Sequence, residues 1–265
     1  MMVRYLYENS PERYAQDVLY SMKLTPPIDI LEVCKAYDLK VYNEDIKSAE
    51  AFLIVSQGKK SIIINEKKIP YIPRQRFTIA HEVGHFIIPW HEGQYKCKHI
   101  GDFNTSDIHE NEANIFASEL LVPTASIVDS IKGKTVTLEL IKEMAQEYSV
   151  SLVAMSRKVI ENTDEKVMAL FYYSNGNKLV QARSKNFQYA LKPGVINRSA
   201  AKELLQSRYR NESIKRILRR ESWFSGFSGD FDIVEESLCQ PTYGRVFTIL
   251  RAAKDFDYFD AFFEQ

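Results

Sequence analysis

Two histidines four residues apart, with a glutamate between them, constrain this chain more than any other feature of its sequence. They are His81 and His85, with Glu82, in the segment His-Glu-Val-Gly-His. Side chains at i and i+4 share one face of an α-helix, so both imidazoles can reach a single metal ion. Pro73 and Pro89 suit the start and the end of such a helix. One side of the segment is apolar, through Phe77, Ala80, Gly84 and Ile88. The segment therefore predicts a buried helix that carries a metal-binding pair.

On this helix Glu82 would lie beside the metal and not point at it. A carboxylate there can take a proton from the attacking water, whose acidity the metal raises, and pass it to the leaving amine. The pattern is the H-E-x-x-H signature of zinc peptidases, and the alternative is a chance pentapeptide with ordinary core histidines. Gly84 costs about 1 kcal/mol relative to alanine inside a helix, which indicates a close neighbour, either a second backbone element or the metal.

A catalytic zinc usually has three protein ligands and an open fourth position. The segment 108–123 looks like a helix ended by its proline, and it contains three competing acids. At about 100° per residue, Glu110 shares a side with Ala113 and Ala117, whereas Glu112 and Glu119 fall on the opposite side. We therefore predict Glu110 as the third ligand and expect Glu112 and Glu119 on a solvated face.

Other polar residues near these segments have less defined roles. Asn114 lies one turn beyond Glu110 on the same face and is a candidate to hydrogen-bond a ligand and orient it. Three loop histidines, which lie beside Cys97 in the sequence, are weaker candidate ligands because a loop lacks the fixed geometry of a helix: His91, His99 and His109. The oxyanion-stabilising group is unassigned, with four alternatives open: Tyr95, His91, His99 and Arg74. Two histidines and a carboxylate favour zinc over manganese without excluding other divalent metals.

Three motifs follow one another between residues 61 and 123. An apolar strand ends in Asn65, the run R-F-T-x-A-H-E-x-G-H ends at His85, and the run E-x-x-A-N-x-F-A-x-x-L-L-x-P begins at Glu110. With these motifs, the chain resembles the ImmA/IrrE family of metallopeptidases. The resemblance implies a zincin-like domain that binds one zinc ion on His81, His85 and Glu110, with Glu82 as the catalytic acid/base.

A chain of 265 residues is long enough for two domains. We predict an α+β protein whose residues 1–130 form the metallopeptidase domain. Helices are expected at 11–22 and 28–37, and strands at 39–42, 51–55 and 61–64 that form a small antiparallel sheet ahead of the zinc helix. An edge of this sheet could bind an extended substrate by strand addition, or the sheet could simply cover the helix.

Residues 131–162 are predicted to form a helix-turn-helix-like unit, with helices at 137–148 and 152–160. The second helix is mostly apolar, and its basic residues are Arg157 and Lys158. Reading of DNA in a groove needs several polar side chains at base edges and phosphates. Direct DNA binding is therefore disfavoured, and a packing bridge between domains is favoured.

Residues 163–265 are predicted to form a C-terminal α+β domain. A hairpin is expected from strands 167–173 and 178–183, followed by a basic helix at 200–220 and strands at 231–234 and 245–252. Longer ImmA/IrrE members carry a sensor-like domain here, so the resemblance implies a candidate signal ligand. The basic helix could contact nucleic acid, but interspersed glutamates favour a solvated charged face.

Composition limits the partners and the compartment. Thirty-five basic residues balance thirty-five acidic ones, so no global field would attract DNA or an anionic membrane. Three widely spaced cysteines argue against a disulfide framework and for a reducing compartment. The amino terminus does not resemble a signal peptide, and no uncharged apolar run reaches the length of a membrane span. We expect a cytoplasmic protein without membrane contact.

The leading hypothesis is a cytoplasmic zinc-dependent endopeptidase. The family resemblance implies its substrate, a helix-turn-helix repressor of the Cro/CI type that is cut so that stress-response or mobile-element genes, such as those of a prophage, are derepressed. No repressor motif precedes the peptidase motifs, so the substrate is expected to act in trans. The alternatives are a non-catalytic antirepressor and a nucleic-acid-responsive regulator that retains the fold. Glu82 counts against both, since a structural metal site needs no adjacent general base.

Overall fold

The structure is a computed structural model that describes residues 10–47, 49–91, 95–97, 107–207, 213–226, 231–254 and 257. The chain divides into two compact units. Unit 1 comprises residues 1–126 and 145–151, and unit 2 comprises residues 127–144 and 152–265. Both contain helices and sheet, as expected for an α+β protein. The predicted boundaries after residues 130 and 162 differ from this division and stay a prediction.

Unit 1 contains the helices and strands that were predicted around the metal pair, and one short strand at 95–97 that was not predicted. In chain order they are α1 (Pro11–Met22), α2 (Ile30–Ala36), β1 (Lys40–Asn43), β2 (Ala51–Ser56), β3 (Lys59–Ile64), α3 (Ile72–Ile87), β4 (Tyr95–Cys97) and α4 (Ile108–Leu121). Proline lies in the first turn of α1 and of α3, where its missing N–H is not needed. Asp29 and Asp107 cap α2 and α4 by accepting backbone N–H bonds. The sequence periodicity thus located these elements to within a few residues.

The sheet of unit 1 has the strand order β1-β3-β2-β4. β2 is antiparallel to β3 and β4, but β1 runs parallel to β3. The predicted strands thus form a mainly antiparallel sheet, to which β1 adds one parallel pairing that was not predicted. The chain passes from β1 across to β2 before the hairpin returns β3 between them, and the buried Asn65 amide supports this crossover by donating to the Ile46 carbonyl at 2.9 Å. Within the described residues, β1 and β4 form the two edges.

Helix packing positions the residues of the metal pair. α4 packs against both α3 and α1, so it is covered on two sides. Arg76 of α3 donates to the carbonyls of Ile28 at 2.7 Å and Ser149 at 3.1 Å, which links α3 to two other segments of unit 1. The inner part of α3 is buried, including Thr78, Ile79 and Ala80. Two helices that pack against each other and are largely buried therefore carry the candidate site.

Unit 2 is built on a five-stranded antiparallel sheet with the order β6-β5-β11-β10-β8. Most of its elements follow in chain order: α6 (Leu138–Glu147), α7 (Leu152–Glu161), β5 (Val167–Tyr173), β6 (Lys178–Arg183), β7 (Ala190–Leu191), α8 (Ala200–Gln206), β8 (Ser213–Arg219), β9 (Phe224–Ser225), β10 (Asp232–Gln240) and β11 (Arg245–Ala252). α5 (Thr124–Ile131) and α6 each contain residues of both units. The predicted hairpin 167–173/178–183 and the strand 245–252 are confirmed.

The basic helix predicted at 200–220 is wrong. α8 ends at Gln206, and residues 213–219 form β8, an outer strand paired with β10. Lys215, Arg216 and Arg219 are therefore on a strand, where charge disfavours pairing with another chain. Ile214, Ile217 and Leu218 supply the β-forming residues that the charge pattern had hidden. β10 is also longer than the predicted 231–234, because it pairs along both sides.

The two helices predicted at 137–148 and 152–160 are present as α6 and α7. α7 buries Met155, Val159 and Ile160 completely and packs against β5 and β6 of unit 2. The apolar residues that argued against DNA reading thus belong to a core. None of the helices in the described parts of the chain combines the length and apolar character that crossing a membrane requires.

Candidate metal centre

The structure places the H-E-x-x-H segment in the buried half of α3. His81 and Glu82 have no exposed surface, and His85 is almost fully buried. The helix ends where Ile88 becomes extended, just before Pro89. Gly84 lets α4 approach, since a Cβ at Gly84 would lie 3.1 Å from Cδ1 of Phe116. The close neighbour expected at this glycine is therefore a side chain of α4.

The three predicted ligands meet at one point between α3 and α4. The Nε2 atoms of His81 and His85 are 3.1 Å apart. The two carboxylate oxygens of Glu110 lie 3.3 Å from Nε2 of His81 and 3.5 Å from Nε2 of His85. Glu110 reaches this point from the first turn of α4, which Asp107 fixes by accepting the N–H groups of His109 and Glu110.

These separations fit one metal ion. Ligand atoms about 2.0–2.1 Å from a tetrahedral zinc ion are about 3.3–3.4 Å from one another. The observed spacings of 3.1, 3.3 and 3.5 Å bracket that value. Two imidazole nitrogens and a carboxylate are also the ligand types of catalytic zinc sites. His81, His85 and Glu110 therefore form a candidate site for a single divalent cation.

Hydrogen bonds behind the histidines orient their rings toward that point. Nδ1 of His81 is 3.0 Å from the side-chain oxygen of Asn114. An amide oxygen only accepts, so Nδ1 carries the hydrogen and Nε2 presents a lone pair. Asn114 thus lies where the sequence predicted a group that orients a ligand. His85 is held in a corresponding way, with its Nδ1 3.0 Å from Nδ1 of His91.

The ionisation states at the site suit metal binding. Burial lowers the pKa of His85 to about 4, although Glu110 opposes this shift. Burial alone would raise the pKa of Glu110, but hydrogen bonds with His81 and His85 outweigh burial and hold that pKa well below its ordinary value. A metal ion needs neutral imidazole and ionised carboxylate. The lowered pKa of His85 and the lowered pKa of Glu110 therefore favour the neutral imidazole and the ionised carboxylate at neutral pH.

Glu112 and Glu119 are not on a solvated face, contrary to expectation. The Glu112 side chain is 14% exposed and accepts N–H bonds from Trp90 and His91, both at 2.7 Å. Glu119 is 2% exposed and accepts from Gln16 of α1 at 3.0 Å and from the Thr124 hydroxyl at 2.6 Å. The helical wheel assumed one buried side for α4, but α1 and the residues after α3 cover its other sides.

Some of the remaining candidates lie within the described residues and others lie outside them. His91, His109 and Glu112 form a second group whose potential ligand atoms lie within 4.8 Å of one another. Arg74, an oxyanion candidate, pairs with Glu50 at 2.7 Å. The side chains of two further candidates, Tyr95 and His99, lie outside the described part of the structure. The oxyanion-stabilising group therefore stays unassigned.

Comparisons with known proteins agree with this geometry. Residues 34–159 match the family model of Peptidase M78, described as the IrrE N-terminal-like domain. None of the curated proteins matches the sequence. Among solved structures, a Mycobacterium tuberculosis transcriptional regulator is similar with a TM-score of 0.57 at 11% identity, over 93% of this chain and 77% of that one. At this identity the likeness concerns the fold alone.

The matched residues contain both helices of the candidate metal centre and all three of the motifs that carried the resemblance. The family model and the local geometry therefore concern the same part of the chain. Residues 34–159 are therefore an IrrE N-terminal-like domain of the Peptidase M78 family, in agreement with the resemblance to the ImmA/IrrE metallopeptidases.

Proposed function

We propose that this protein is a cytoplasmic zinc-dependent endopeptidase that cleaves a helix-turn-helix repressor of the Cro/CI type in trans. One observation carries the proposal. The donor atoms of His81, His85 and Glu110 converge with the spacing of a tetrahedral site, and the buried Glu82 follows His81 on the same helix. Cleavage would derepress the genes that the repressor controls, which we propose are stress-response or mobile-element genes.

A bound zinc ion would act as a Lewis acid and increase the acidity of the attacking water. His81 and His85 would hold the ion through neutral nitrogens, and the single negative charge of Glu110 would leave the site with a net positive charge. Glu82 accepts the proton of the attacking water and delivers it to the leaving amine. Its burial excludes bulk water, which strengthens such a proton transfer.

The substrate would bind as an extended segment along a sheet edge. Within the described residues, β1 and β4 are the edges of the unit 1 sheet, and each has one side available for main-chain pairing. A repressor segment added to one of these strands would be held by backbone hydrogen bonds, so that side chains at alternate positions decide specificity. An unfolded or loop segment of the repressor suits this mode best.

Several observations support a regulatory protease that acts on a protein and not on DNA. The Mycobacterium tuberculosis protein with a similar fold is a transcriptional regulator. Acidic and basic residues balance, and α7, which would read DNA, buries its apolar residues. Cys34 and Cys239 remain thiols, as suits the cytoplasm. Residues 163–265 are the candidate sensor domain, which would bind a signal ligand.

The test is cleavage of a purified helix-turn-helix repressor by the zinc-loaded protein and by its Glu82→Gln variant. We expect the variant to retain zinc and to lose about 10²–10⁴-fold in cleavage rate, because an amide cannot accept the proton. Glu119→Gln, which changes another buried glutamate, should retain the activity. Full activity of Glu82→Gln would overturn the mechanism. Release of the repressor from its operator without cleavage would instead identify an antirepressor.

A further inference from the structure

A chain of hydrogen bonds leads from the candidate metal centre to a second carboxylate. His85 contacts His91 through their Nδ1 atoms at 3.0 Å, and Nε2 of His91 lies 2.7 Å from Oε2 of Glu112. The indole N–H of Trp90 donates to the same oxygen at 2.7 Å. The side chain of His91 is fully buried. We refer to His91 and Glu112 as the outer pair.

When His91 is neutral, the donor and the acceptor of each hydrogen bond in this series can be assigned in only one way. The carboxylate of Glu112 accepts, so Nε2 of His91 donates to it and Nδ1 of His91 presents a lone pair. Nδ1 of His85 must then carry the hydrogen of its contact with His91. The remaining nitrogen of His85, Nε2, consequently presents its lone pair to the metal site.

From this geometry we propose that His91 and Glu112 are positioning residues, which fix His85 in the tautomer and orientation that bind the metal. The inference rests on the proposed function of His81, His85 and Glu110 as metal ligands and deepens it. His81 is oriented by a neutral amide, that of Asn114. His85 is oriented by a carboxylate acting through a second imidazole, an arrangement that also increases the basicity of the ligand nitrogen.

A second metal ion held by His91, His109 and Glu112 is the competing interpretation. The 2.7 Å separation of Nε2 of His91 from Oε2 of Glu112 is the length of a hydrogen bond. It is shorter than the separation of about 3.3 Å between two ligands of one tetrahedral zinc ion. Oε2 also accepts the hydrogen of Trp90, and indole nitrogen can only donate. The hydrogen-bonded interpretation therefore explains the contacts better.

The outer pair also connects the segment after α3 to α4. His91 follows α3 by four residues, whereas Glu112 lies on α4, two residues after the proposed ligand Glu110. The hydrogen bond between them therefore joins the two helices that supply the metal ligands. Loss of the outer pair should loosen His85 while leaving Asn114 and His81 in place.

The experiment measures zinc affinity by competition with a chelator, in the full-length protein without any substrate. We expect His91→Phe and Glu112→Gln to bind one zinc ion with affinity lower by about 10–100-fold. The loss should be larger for His91→Phe, because the amide oxygen introduced by Glu112→Gln could still accept the hydrogen of His91. Glu119→Gln, a change to a buried carboxylate on the same helix, is the control. It should stay within about twofold of the wild type, since the hydrogen-bond partners Gln16 and Thr124 are not proposed ligands.

A spectroscopic measurement separates positioning from a general loss of structure. The visible absorption of the cobalt-substituted protein should change in His91→Phe and Glu112→Gln, and the nitrogen chemical shifts of His85 should show mixed tautomers. Unchanged affinity and spectra in both variants would overturn the proposal. Two metal ions per chain, with the second lost in Glu112→Gln, would replace it with a second metal site. Neither readout needs proteolysis, so failure of the proposed function would be seen separately.

Discussion

Each unit of this protein buries a cluster of polar side chains, and the two clusters have opposite chemistry. In unit 1, lone pairs of three side chains converge on a common position, and we call this set the ligand cluster: His81, His85 and Glu110. In unit 2, the fully buried carboxylate of Glu235 is surrounded by groups that donate hydrogen bonds, and we call this set the Glu235 cluster. The first brings acceptors together, which favours a cation, whereas the second already matches an acceptor with donors.

The donors around Glu235 come from α8, from β10 and from the residue before β9. The backbone N–H of Ala201 lies 2.8 Å away, the Ser237 hydroxyl 3.1 Å and the Trp223 indole N–H 3.2 Å. Burial raises the pKa of Glu235, and these hydrogen bonds oppose the shift. Glu235 thus joins β10 to the start of α8 and to the core tryptophan. A buried glutamate indicates a ligand site only when its neighbours are acceptors as well.

The largest effect is expected for Glu110→Gln, which removes the charged ligand. Loss of a residue of the outer pair should lower zinc affinity by about 10–100-fold. The loss in Glu110→Gln should be larger than that. Glu235→Gln is the matched control in unit 2 and should leave the affinity unchanged. Competition with a chelator measures both. If Glu112→Gln abolished zinc binding while Glu110→Gln did not, Glu112 and not Glu110 would be the carboxylate ligand. The ligand cluster as defined here would then be wrong.

Much of the metal centre could be predicted because its residues obey one local rule. The spacing of His81 and His85 and the helical side shared by Glu110 and Asn114 are periodic properties of single helices. The environment of Glu112 and Glu119 was missed because it depends on contacts with residues of other segments, namely Trp90, His91 and Gln16. Periodicity identifies one buried side of a helix and cannot count how many neighbours cover it.

In unit 2 the hairpin was predicted from its turn, whereas the strand β8 was not predicted. Asn175 and Gly176 specify a tight connection between β5 and β6, and Gly176 has a positive φ of 83°. The segment 213–219 carries three basic residues, and their spacing suited a charged helix equally well. Its strand conformation depends on pairing with β10, which follows it in the chain. Non-local pairing of this kind leaves a weak local signal.

The second prediction concerns the stability of the Glu235 cluster. Glu235→Gln should lower the free energy of unfolding of unit 2 by about 1–3 kcal/mol, because the amide group presents hydrogens to groups that are themselves donors. Chemical denaturation followed by tryptophan fluorescence measures the loss, since Trp223 donates to Glu235. The change Glu221→Gln at an exposed position serves as a control and should stay within about 0.5 kcal/mol. A stability unchanged by Glu235→Gln would mean that the cluster contributes little.

The smallest effect is expected for Gly84→Ala, and it tests how the ligand cluster depends on the spacing of two helices. Alanine favours the helix by about 1 kcal/mol, but its Cβ would lie 3.1–3.3 Å from the fully buried side chain of Phe116. Overpacking typically costs about 1–3 kcal/mol, so a net loss of about 1 kcal/mol is expected. Because α3 and α4 carry the ligands, zinc affinity should also fall slightly.

A double-mutant cycle with Phe116→Ala isolates the cause of this loss. Without the ring, Gly84→Ala should become neutral or stabilising, because only the helical preference of alanine remains. Denaturation of the four proteins gives the coupling energy, and chelator competition shows whether zinc affinity recovers with it. If Gly84→Ala stabilises the protein that retains Phe116, α4 can move away without cost. The ligand cluster would then tolerate a change in helix spacing, although the short distances between its ligand atoms argue against such tolerance. The ligand cluster and the Glu235 cluster would then differ in charge alone.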